Sequence, residues 1–415
     1  MPSVLKLVAV IVTSGSPTIE FATRPYPTAI SPPPEKQHFF THHRADIGVL
    51  SVYDILPRQK STRHQLINDM TDTPISTPIF DGHNDLLLRL WLNDAPDPVA
   101  LFLDHTLDGH LDLKRMRQGG FAGGLFAVFI PPASYMPQLK PNAAPQPHDA
   151  LAITHAQIAV LQRIESQSAG RAKICRSAAE IEACIEQRVL AMVLHIEGAE
   201  AIDGSLSQLD ALYQAGLRSI GPLWNLPNQF GVGVTGDFPG SPDSGDGLTD
   251  AGLALLRACN QKKMVIDLSH MNEKAFWQTA QYSDAPLVAT HSNVHALCPQ
   301  PRNLTDKQLA AIAESNGFVG VNFGNAFLRA DGKRDKSTAL GEIVRHLDYL
   351  LKKLGADGVG FGSDFDGISV PDALGDVSGL PLLIEAMSAA GYSRALTEKI
   401  AWRNWLDVLK RSWGE

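Results

Sequence analysis

Residues 190–197 have the sequence Leu-Ala-Met-Val-Leu-His-Ile-Glu, an apolar stretch with one histidine that ends in an acid. Short stretches of this kind, bounded by polar or glycine residues, are typical of strands that a parallel sheet buries on both faces. An ionisable side chain at the end of such a stretch is costly to bury unless it is paired or bound to a metal. Residues 190–197 therefore predict a buried strand whose last residue, Glu197, has a functional role.

Seven further stretches of the same kind occur in the chain, and amphipathic helical stretches separate them. The predicted strands are Ile79–Asp85, Gly124–Ile130, Leu190–Glu197, Ser219–Trp224, Met264–His270, Leu287–His291, Phe318–Phe323 and Gly358–Asp364. The clearest predicted helices are Ala150–Ser166, Ser205–Gln214, Thr249–Gln261, Thr305–Ser315 and Ala339–Leu354. Eight alternations of strand and helix favour an α/β fold, a (β/α)₈ barrel of the TIM type, over an open sheet.

Length and composition fit one large domain. The chain has 415 residues, of which 44% are hydrophobic, and barrels of this type often exceed about 250 residues. We expect residues 71–415 to form a single barrel domain. Residues 13–70 are rich in Pro, Ser, Thr and His with weak periodicity, so we expect residues 1–70 to be a disordered extension. One hypothesis is that translation of the natural protein starts at Met70.

Several classes of protein are excluded or disfavoured. The net charge is −8 and no basic stripe occurs, so nucleic acid is not an expected partner. No stretch of 18 apolar residues exists to span a membrane. Residues 4–12 make a poor signal peptide, so we expect a cytoplasmic location, with export as the weaker alternative. The four cysteines lack metal-ligand spacing and are expected to be partly buried free thiols.

Five potential metal ligands stand at the ends of predicted strands. His83 and Asp85 are two residues apart, so their side chains point to the same face of a strand and can hold one metal. His270 and His291 end successive strands and place two imidazoles side by side. Glu197 has two oxygens and can bridge two cations. The set suits a dinuclear zinc site at the C-terminal ends of the strands, although cobalt and manganese accept the same ligands.

Other ionisable residues compete for these roles. His195 lies one layer deeper than the strand end, and we expect it to pack behind the ligands. His295 lies beyond its predicted strand and is the weaker rival of His291. Asp364 ends the last strand, where a carboxylate beside two metals can pass a proton from water to a leaving amine. Asp366 competes for that role, but it already lies in the turn.

Two connections are unusually long and leave from C-terminal strand ends. Residues 131–148 are rich in proline, and residues 225–247 are rich in Gly, Pro and Asp. Barrel enzymes build their substrate loops at this end, so we expect both segments to form walls of the active site.

In this order and spacing the motifs resemble the renal or membrane dipeptidase family, within the amidohydrolase-like metallohydrolases. The resemblance covers roughly residues 78–410. The motifs are Asp81-Gly82-His83-Asn84-Asp85, Ile196-Glu197-Gly198, Asp267-Leu268-Ser269-His270, Thr290-His291-Ser292-Asn293, Pro301-Arg302-Asn303 and Gly362-Ser363-Asp364-Phe365-Asp366-Gly367. The resemblance implies a (β/α)₈ barrel with two Zn²⁺ per chain, a homodimer, and hydrolysis of dipeptides; whether dipeptides with a D-residue at the C-terminal position are also substrates is left open.

The resemblance also implies how the metals are held. His83 and Asp85 would bind one zinc ion, His270 and His291 would bind the other, and Glu197 would bridge the two.

Four more residues receive roles from the same resemblance. Asp364 would carry protons, and Arg302 would bind the substrate's terminal carboxylate, which a guanidinium can grip bidentately. Animal members have a substrate-binding histidine near the end of the fourth strand, where this chain has Trp224, followed by Asn225. An indole N–H can donate one hydrogen bond but cannot carry a proton. We expect Trp224 and Asn225 to contact the substrate and to change its range.

The sequence thus predicts a zinc dipeptidase in which a metal-bridging hydroxide attacks the peptide bond. One alternative is a related binuclear amidohydrolase that acts on another amide, a β-lactam or an ester. A second is a zinc-binding barrel that does not catalyse. The His-x-Asp pair and Arg302 favour dipeptides, and the preferred side chains are left open.

Overall fold

Eight parallel strands form the wall of a barrel in the computed structural model, which describes residues 77–140 and 148–415. The strands are β1 (Ile79–Asn84), β2 (Phe121–Phe129), β3 (Ala172–Ile174), β4 (Leu190–Glu197), β5 (Leu217–Gly221), β6 (Val265–Ile266), β7 (Val288–Ala289), β8 (Phe318–Val321) and β9 (Val359–Phe361). Their order around the sheet is β6-β5-β4-β2-β1-β9-β8-β7, and β3 pairs only with β4, off this path. A parallel bridge between Asp267 and Val288 joins the two ends. The predicted (β/α)₈ barrel is confirmed.

Helices cover the outside of the barrel. They are α1 (Leu86–Leu92), α2 (Pro98–Asp104), α3 (Leu113–Gln118), α4 (Met136–Leu139), α5 (Ala150–Gln167), α6 (Ala178–Glu186), α7 (Leu209–Ala215), α8 (Asp250–Gln261), α9 (Glu273–Tyr282), α10 (Asp306–Glu314), α11 (Asn325–Leu328), α12 (Leu340–Leu354), α13 (Leu380–Ala389), α14 (Arg394–Glu398) and α15 (Asn404–Trp413). A 3₁₀ turn spans Val377–Gly379 and a π-helical turn spans Lys399–Arg403. Thr249 and Thr305 cap α8 and α10, the latter with a capping box.

The strands after β5 are shorter than predicted. β6 and β7 have two residues each, so His270, His291 and Asp364 lie beyond the strands rather than at their ends. His270 and Asp364 have positive φ angles of 66° and 59°, which end the extended conformation and are uncommon for residues with a Cβ. Near β6, the carboxylate of Asp267 accepts the backbone N–H groups of Ser269 and Thr290, at 2.9 and 2.8 Å, in place of ladder partners.

Three further predictions concern the N-terminal extension, membrane spans and the cysteines. Residues 1–70, with the proposed start at Met70, lie outside the described residues. Within residues 77–140 and 148–415, no helix has the length and apolar character needed to cross a membrane. All four cysteines are free and buried, as expected; Cys175 and Cys184 lie with their sulfurs 3.7 Å apart.

Candidate metal centre

Glu197, at the end of β4, is the centre of a buried cluster of imidazoles. Its Oε1 lies 2.9 Å from Nε2 of His270, 3.2 Å from Nε2 of His291 and 3.7 Å from Nε2 of His83. The two nitrogens of His270 and His291 are 3.1 Å apart, and the rings of His83 and His291 stack at 3.8 Å. The barrel therefore brings together three histidines whose predicted strands are far apart in the sequence.

Two more carboxylates complete the cluster. Asp85 follows β1, and its Oδ2 lies 3.5 Å from Nε2 of His83. Ligand atoms of His83, Asp85 and Asp364 all lie within 4.8 Å of one another, as do those of His83, Glu197 and His291. His83 thus belongs to both groups, and all five predicted ligands and Asp364 share one site.

The side chains in this cluster fit a divalent metal. Both ring nitrogens of His83 are buried without a hydrogen-bond partner among the described residues, and Oε1 of Glu197 is buried facing Nε2 of His270 and of His291 without a hydrogen bond to either. Buried polar atoms without partners are costly, and they need an explanation such as a bound ion. Imidazole nitrogens and carboxylate oxygens are ligands that zinc, cobalt and manganese accept. The buried His, Glu and Asp cluster is therefore able to bind metal.

His291 is oriented by a chain of hydrogen bonds from the neighbouring strand. The hydroxyl of Thr290 donates to Oδ2 of Asp267 at 2.6 Å, and the hydroxyl oxygen of Thr290 lies 2.8 Å from Nδ1 of His291. Since the hydroxyl proton is used, the oxygen accepts from Nδ1–H, which leaves the lone pair on Nε2 for a metal. Partners of this kind fix the tautomer and the ring orientation of a metal-binding histidine.

His270 is oriented in the same way by a residue that the sequence assigned to the substrate. Oδ1 of Asn225 lies 2.7 Å from Nδ1 of His270, so Nε2 again faces Glu197. Asn225 also lines the cavity above the cluster. Its contact with His270 is a second role that the sequence did not predict.

Replacing Thr290 with valine tests this orientation. Valine keeps the shape of threonine but removes the hydroxyl, so we expect zinc affinity to fall about 10- to 100-fold, the usual cost of losing such a partner. Competition with a chelator of known affinity measures the change. Thr154→Val is the matched control, because the buried Thr154 hydroxyl has no hydrogen-bond partner among the described residues. Equal zinc affinity in the Thr290→Val and Thr154→Val proteins would contradict the assignment.

Asp364 is held by groups from two other strands. Asn322, which follows β8, donates its Nδ2–H to Oδ2 of Asp364 at 2.8 Å. Ser363 donates both its backbone N–H and its hydroxyl to Asp81 of β1, at 2.6 and 2.8 Å. A Cβ on Gly367 would lie 2.1 Å from Oδ2 of Asp85 and 2.4 Å from Oδ1 of Asp364, so a larger residue there would displace these two carboxylates. These contacts direct the Asp364 carboxylate towards the cluster.

Burial dominates the electrostatics of the cluster. It lowers the pKa of His270 and of His291 well below the ordinary value, so both imidazoles are neutral. Burial raises the pKa of Glu197 to about 8 and that of Asp364 to about 6. In His83 burial lowers the pKa, but the nearby carboxylates, Glu197 foremost, outweigh it and raise the pKa to about 10.

Metal binding is expected to release protons from this cluster. The pKa values of His83 and Glu197 both lie above 7 in the metal-free protein, about 10 and about 8, so the pair holds one to two protons at neutral pH. Ligation needs neutral imidazole and ionised carboxylate, so zinc binding at pH 7 releases about one to two protons per chain, and affinity falls as the pH falls. Calorimetric titrations in buffers of different ionisation enthalpy count them. A binding enthalpy independent of the buffer would contradict the prediction.

A cavity of about 1000 Å³ opens above the cluster, and both long connections contribute to its wall. Tyr135 comes from residues 131–148, and Leu226 from residues 225–247. Trp224 also lines the cavity, with its ring 5.1 Å from that of Phe129 and 6.1 Å from that of His270.

Arg302 reaches the same cavity from the segment after β7. It is only 8% exposed, and its guanidinium donates to the hydroxyl of Ser292 at 2.6 Å and to the carbonyl of His291 at 2.9 Å. Its buried Nε–H has no partner among the described residues. A rigidly held guanidinium therefore lines the wall of the cavity.

The rival residues lie elsewhere. His195 is fully buried, with Nδ1 2.9 Å from the hydroxyl of Ser219, and it packs edge-on behind His83. His295 contacts the carbonyl of Gly240 at 2.7 Å. Asp366 accepts the backbone N–H of His110 at 2.6 Å and is outside both ligand groups.

Comparison with known proteins places the chain among metallopeptidases. The family model described as membrane dipeptidase (peptidase family M19) matches residues 70–412. A solved structure of the dipeptidase AC, a family M19 metallopeptidase, is 48% identical, with a TM-score of 0.77, and the match covers 81% of this chain and 99% of that one. A metallopeptidase from Rhodobacter sphaeroides, solved with a phosphinate mimic of the dipeptide L-Ala-D-Ala, is 46% identical, with the same TM-score and coverage.

A close relative has no assigned activity. It is an uncharacterised protein from the region 5′ of pqqA in Klebsiella pneumoniae, and it is 61% identical over 267 residues. That match covers 64% of this chain and 98% of the relative.

Proposed function

Because this chain belongs to the membrane dipeptidase family, peptidase family M19, we propose that it hydrolyses dipeptides with the help of two zinc ions. Family membership and the dipeptidase neighbours make it a metallodipeptidase. One observation carries the proposal for the site: the buried Arg302 and Asp364 line the same cavity as the His and carboxylate cluster. A dipeptide needs this combination, because its two charged ends lie close to its only peptide bond.

The proposed ligands are those that the sequence predicted. His83 and Asp85 would hold one zinc ion, His270 and His291 the other, and Glu197 both. When bound, such ions lower the pKa of a water molecule and polarise a carbonyl group. The hydrogen bonds that Nδ1–H of His291 and of His270 donate to Thr290 and Asn225 keep the Nε2 atoms directed at these positions.

Arg302 limits the length of the peptides that can be cleaved. Its guanidinium lines the cavity, and each Nη has a second N–H beyond the one donated within the protein, so these groups can bind the substrate's terminal carboxylate. A longer peptide would push its terminal carboxylate past Arg302, so tripeptides are excluded. The hydrogen bonds to Ser292 and His291 keep the guanidinium in place before the substrate arrives.

Asp364 handles the proton. Its Oδ2 is occupied by Asn322, and Oδ1 is left to take a proton from the attacking water and to deliver it to the leaving amine. Its pKa, which burial raises to about 6, lies close enough to neutral pH for both steps.

Trp224 takes the position of the substrate-binding histidine of the animal members, and it gives the cavity an apolar surface there. Its ring lies beside those of Phe129 and Tyr135, at 5.1 and 6.3 Å between centroids, so this side of the cavity is aromatic. Any hydrogen bond to the substrate carbonyl from this position comes from the indole N–H.

Stereochemistry and assembly are further parts of the proposal. A relative that binds a mimic of L-Ala-D-Ala supports substrates with a D-residue at the C-terminal position. The homodimer and the cytoplasmic location stay predictions from the sequence.

Amine release from a panel of peptides tests the function. The full chain, loaded with zinc, is incubated with L-L, L-D and Gly-D dipeptides and with matching tripeptides. We expect cleavage of dipeptides only. No cleavage of any dipeptide by protein that carries two zinc ions would overturn the proposal and favour another amide, a β-lactam or an ester. Failure on those substrates too would favour a non-catalytic barrel.

A further inference from the structure

The wall of the cavity has two sides of different chemistry. One side is aromatic and aliphatic, and it follows β2 and β5, which flank β4 in the barrel. Its lining residues are Phe129, Tyr135, Leu139, Trp224 and Leu226. No charged group is among these five, so this side suits an apolar part of a substrate.

The other side is cationic. Its cations come from segments that follow β7, β8 and β1, and the segment after β9, which lies between those of β8 and β1, contributes Asp364 and Asp366. Arg302 follows β7, Arg334 and Lys336 follow β8, and Arg89 follows β1; all four line the cavity.

The side chains of Arg334 and Lys336 form no ion pair with the part of the chain that the structure describes. The two acids of their segment are engaged by Arg329, whose guanidinium lies 2.7 Å from Asp331 and 3.9 Å from Asp335. Among residues 77–140 and 148–415, neither Arg334 nor Lys336 has an acidic group within 4.0 Å. Two exposed cations therefore face the cavity without a counter-charge.

The acids of the cavity do not neutralise them. Three carboxylates that line it belong to the proposed metal centre: Asp85, Glu197 and Asp364. The fourth, Asp366, is buried, accepts a backbone N–H and lies 3.8 Å from Arg89. Arg334 and Lys336 therefore contribute positive charge to this side of the cavity, which attracts anions.

The position of Arg302 decides which residue of a bound dipeptide lies on each side of the cavity. If Arg302 binds the terminal carboxylate, the C-terminal residue lies on the side of β7 and β8, from which Arg334 and Lys336 also line the cavity. The N-terminal residue then lies towards Trp224, whose ring is 6.1 Å from that of His270.

From this arrangement we propose that the cavity prefers dipeptides whose C-terminal residue has an acidic side chain, and that Arg334 and Lys336 bind that side chain. The preference rests on the proposed dipeptidase function and defines its substrate class. The N-terminal residue is apolar or aromatic and packs on the other side.

Matched substrate pairs separate charge from shape. Leu-Asp is compared with Leu-Asn, and Leu-Glu with Leu-Gln, each with the second residue in both configurations. We expect kcat/KM for the acidic member to exceed that for the amide by roughly tenfold, the size of one charge-assisted hydrogen bond, mostly through KM. In the double variant Arg334→Gln, Lys336→Gln the ratio should fall towards one, and raising the salt concentration should reduce it in the natural protein.

Lys333→Gln is the matched control. Lys333 is in the same segment, but its side chain is 72% exposed, pairs with Asp331 and does not line the cavity. It should keep the natural ratio. Equal rates on acid and amide in the natural protein, or a preference that survives the double variant, would overturn the inference and leave the dipeptidase function intact. If the natural protein cleaved no dipeptide at all, the proposed function itself would be rejected.

Discussion

Replacing Asp364 with asparagine is expected to reduce kcat for dipeptides by about 10²- to 10⁴-fold, the range for a lost general acid–base group. Asparagine keeps the size of the side chain and an oxygen that faces the cluster, but it cannot take up and release a proton. Asn322 can still contact the substituted amide. Metal content should therefore be retained. Steady-state kinetics together with metal analysis of the same sample separate lost chemistry from lost metal.

Asp366→Asn is the control for this prediction. Asp366 is also buried, also lines the cavity, and has a pKa that burial raises to about 6, as for Asp364. It lies outside the ligand groups, so its amide variant should lose far less activity. A fully active Asp364→Asn protein, or equal losses in the two variants, would refute the proton-carrying role of Asp364.

Replacing Glu197 with glutamine is expected to lower the zinc content from two ions per chain to one or fewer, with loss of turnover. The carboxylate has two anionic oxygens to share between cations, whereas the amide has one neutral oxygen and an NH₂ group that repels metal. Oε1 of Glu197 lies within 3.7 Å of three imidazole nitrogens, so the whole cluster loses its shared anion. Elemental analysis after dialysis at a fixed free zinc concentration measures the change.

Glu200→Gln is the matched control for Glu197. Glu200 is three residues further along and its pKa is also raised by burial, but it contacts Asn228 rather than the cluster. Its variant should keep two zinc ions and activity. Two zinc ions per chain in the Glu197→Gln protein would refute the bridging role.

The sequence predicts the barrel well where strands are long and apolar. Residues 190–197 form β4 with the predicted bounds, because every side chain in this stretch is buried in a parallel sheet. The same reasoning overextends the strands that lead to His270 and Asp364. There the apolar pattern continues, but the chain has left the extended conformation with a positive φ angle. The pattern of apolar and polar residues does not show where the backbone leaves the extended conformation.

The sequence also predicts which ionisable residues converge, but not what orients them. Strand ends meet in a barrel, so the positions of His83, Glu197 and His291 follow from the fold. The bond between Asp267 and Thr290, and that between Asn322 and Asp364, join residues 23 and 42 positions apart. No local signal in the sequence marks such pairs.

Arg302 and the segment around Arg334 illustrate a second limit. Arginine is mostly exposed in proteins, so composition alone predicts a surface residue at both positions. Only the resemblance to the dipeptidase family gave Arg302 a role, and the structure then places it buried at the cavity wall. Arg334 and Lys336 become meaningful only when the cavity and its counter-charges are known.

Diffraction at the zinc absorption edge, from crystals of the zinc-loaded chain, tests the shared carboxylate most directly. We expect two anomalous peaks, each about 2.0–2.2 Å from an oxygen of Glu197. One should also contact His83 and Asp85, and the other His270 and His291. A single peak bound by His83, Glu197 and His291, whose ligand atoms lie within 4.8 Å of one another, would contradict the two-metal centre.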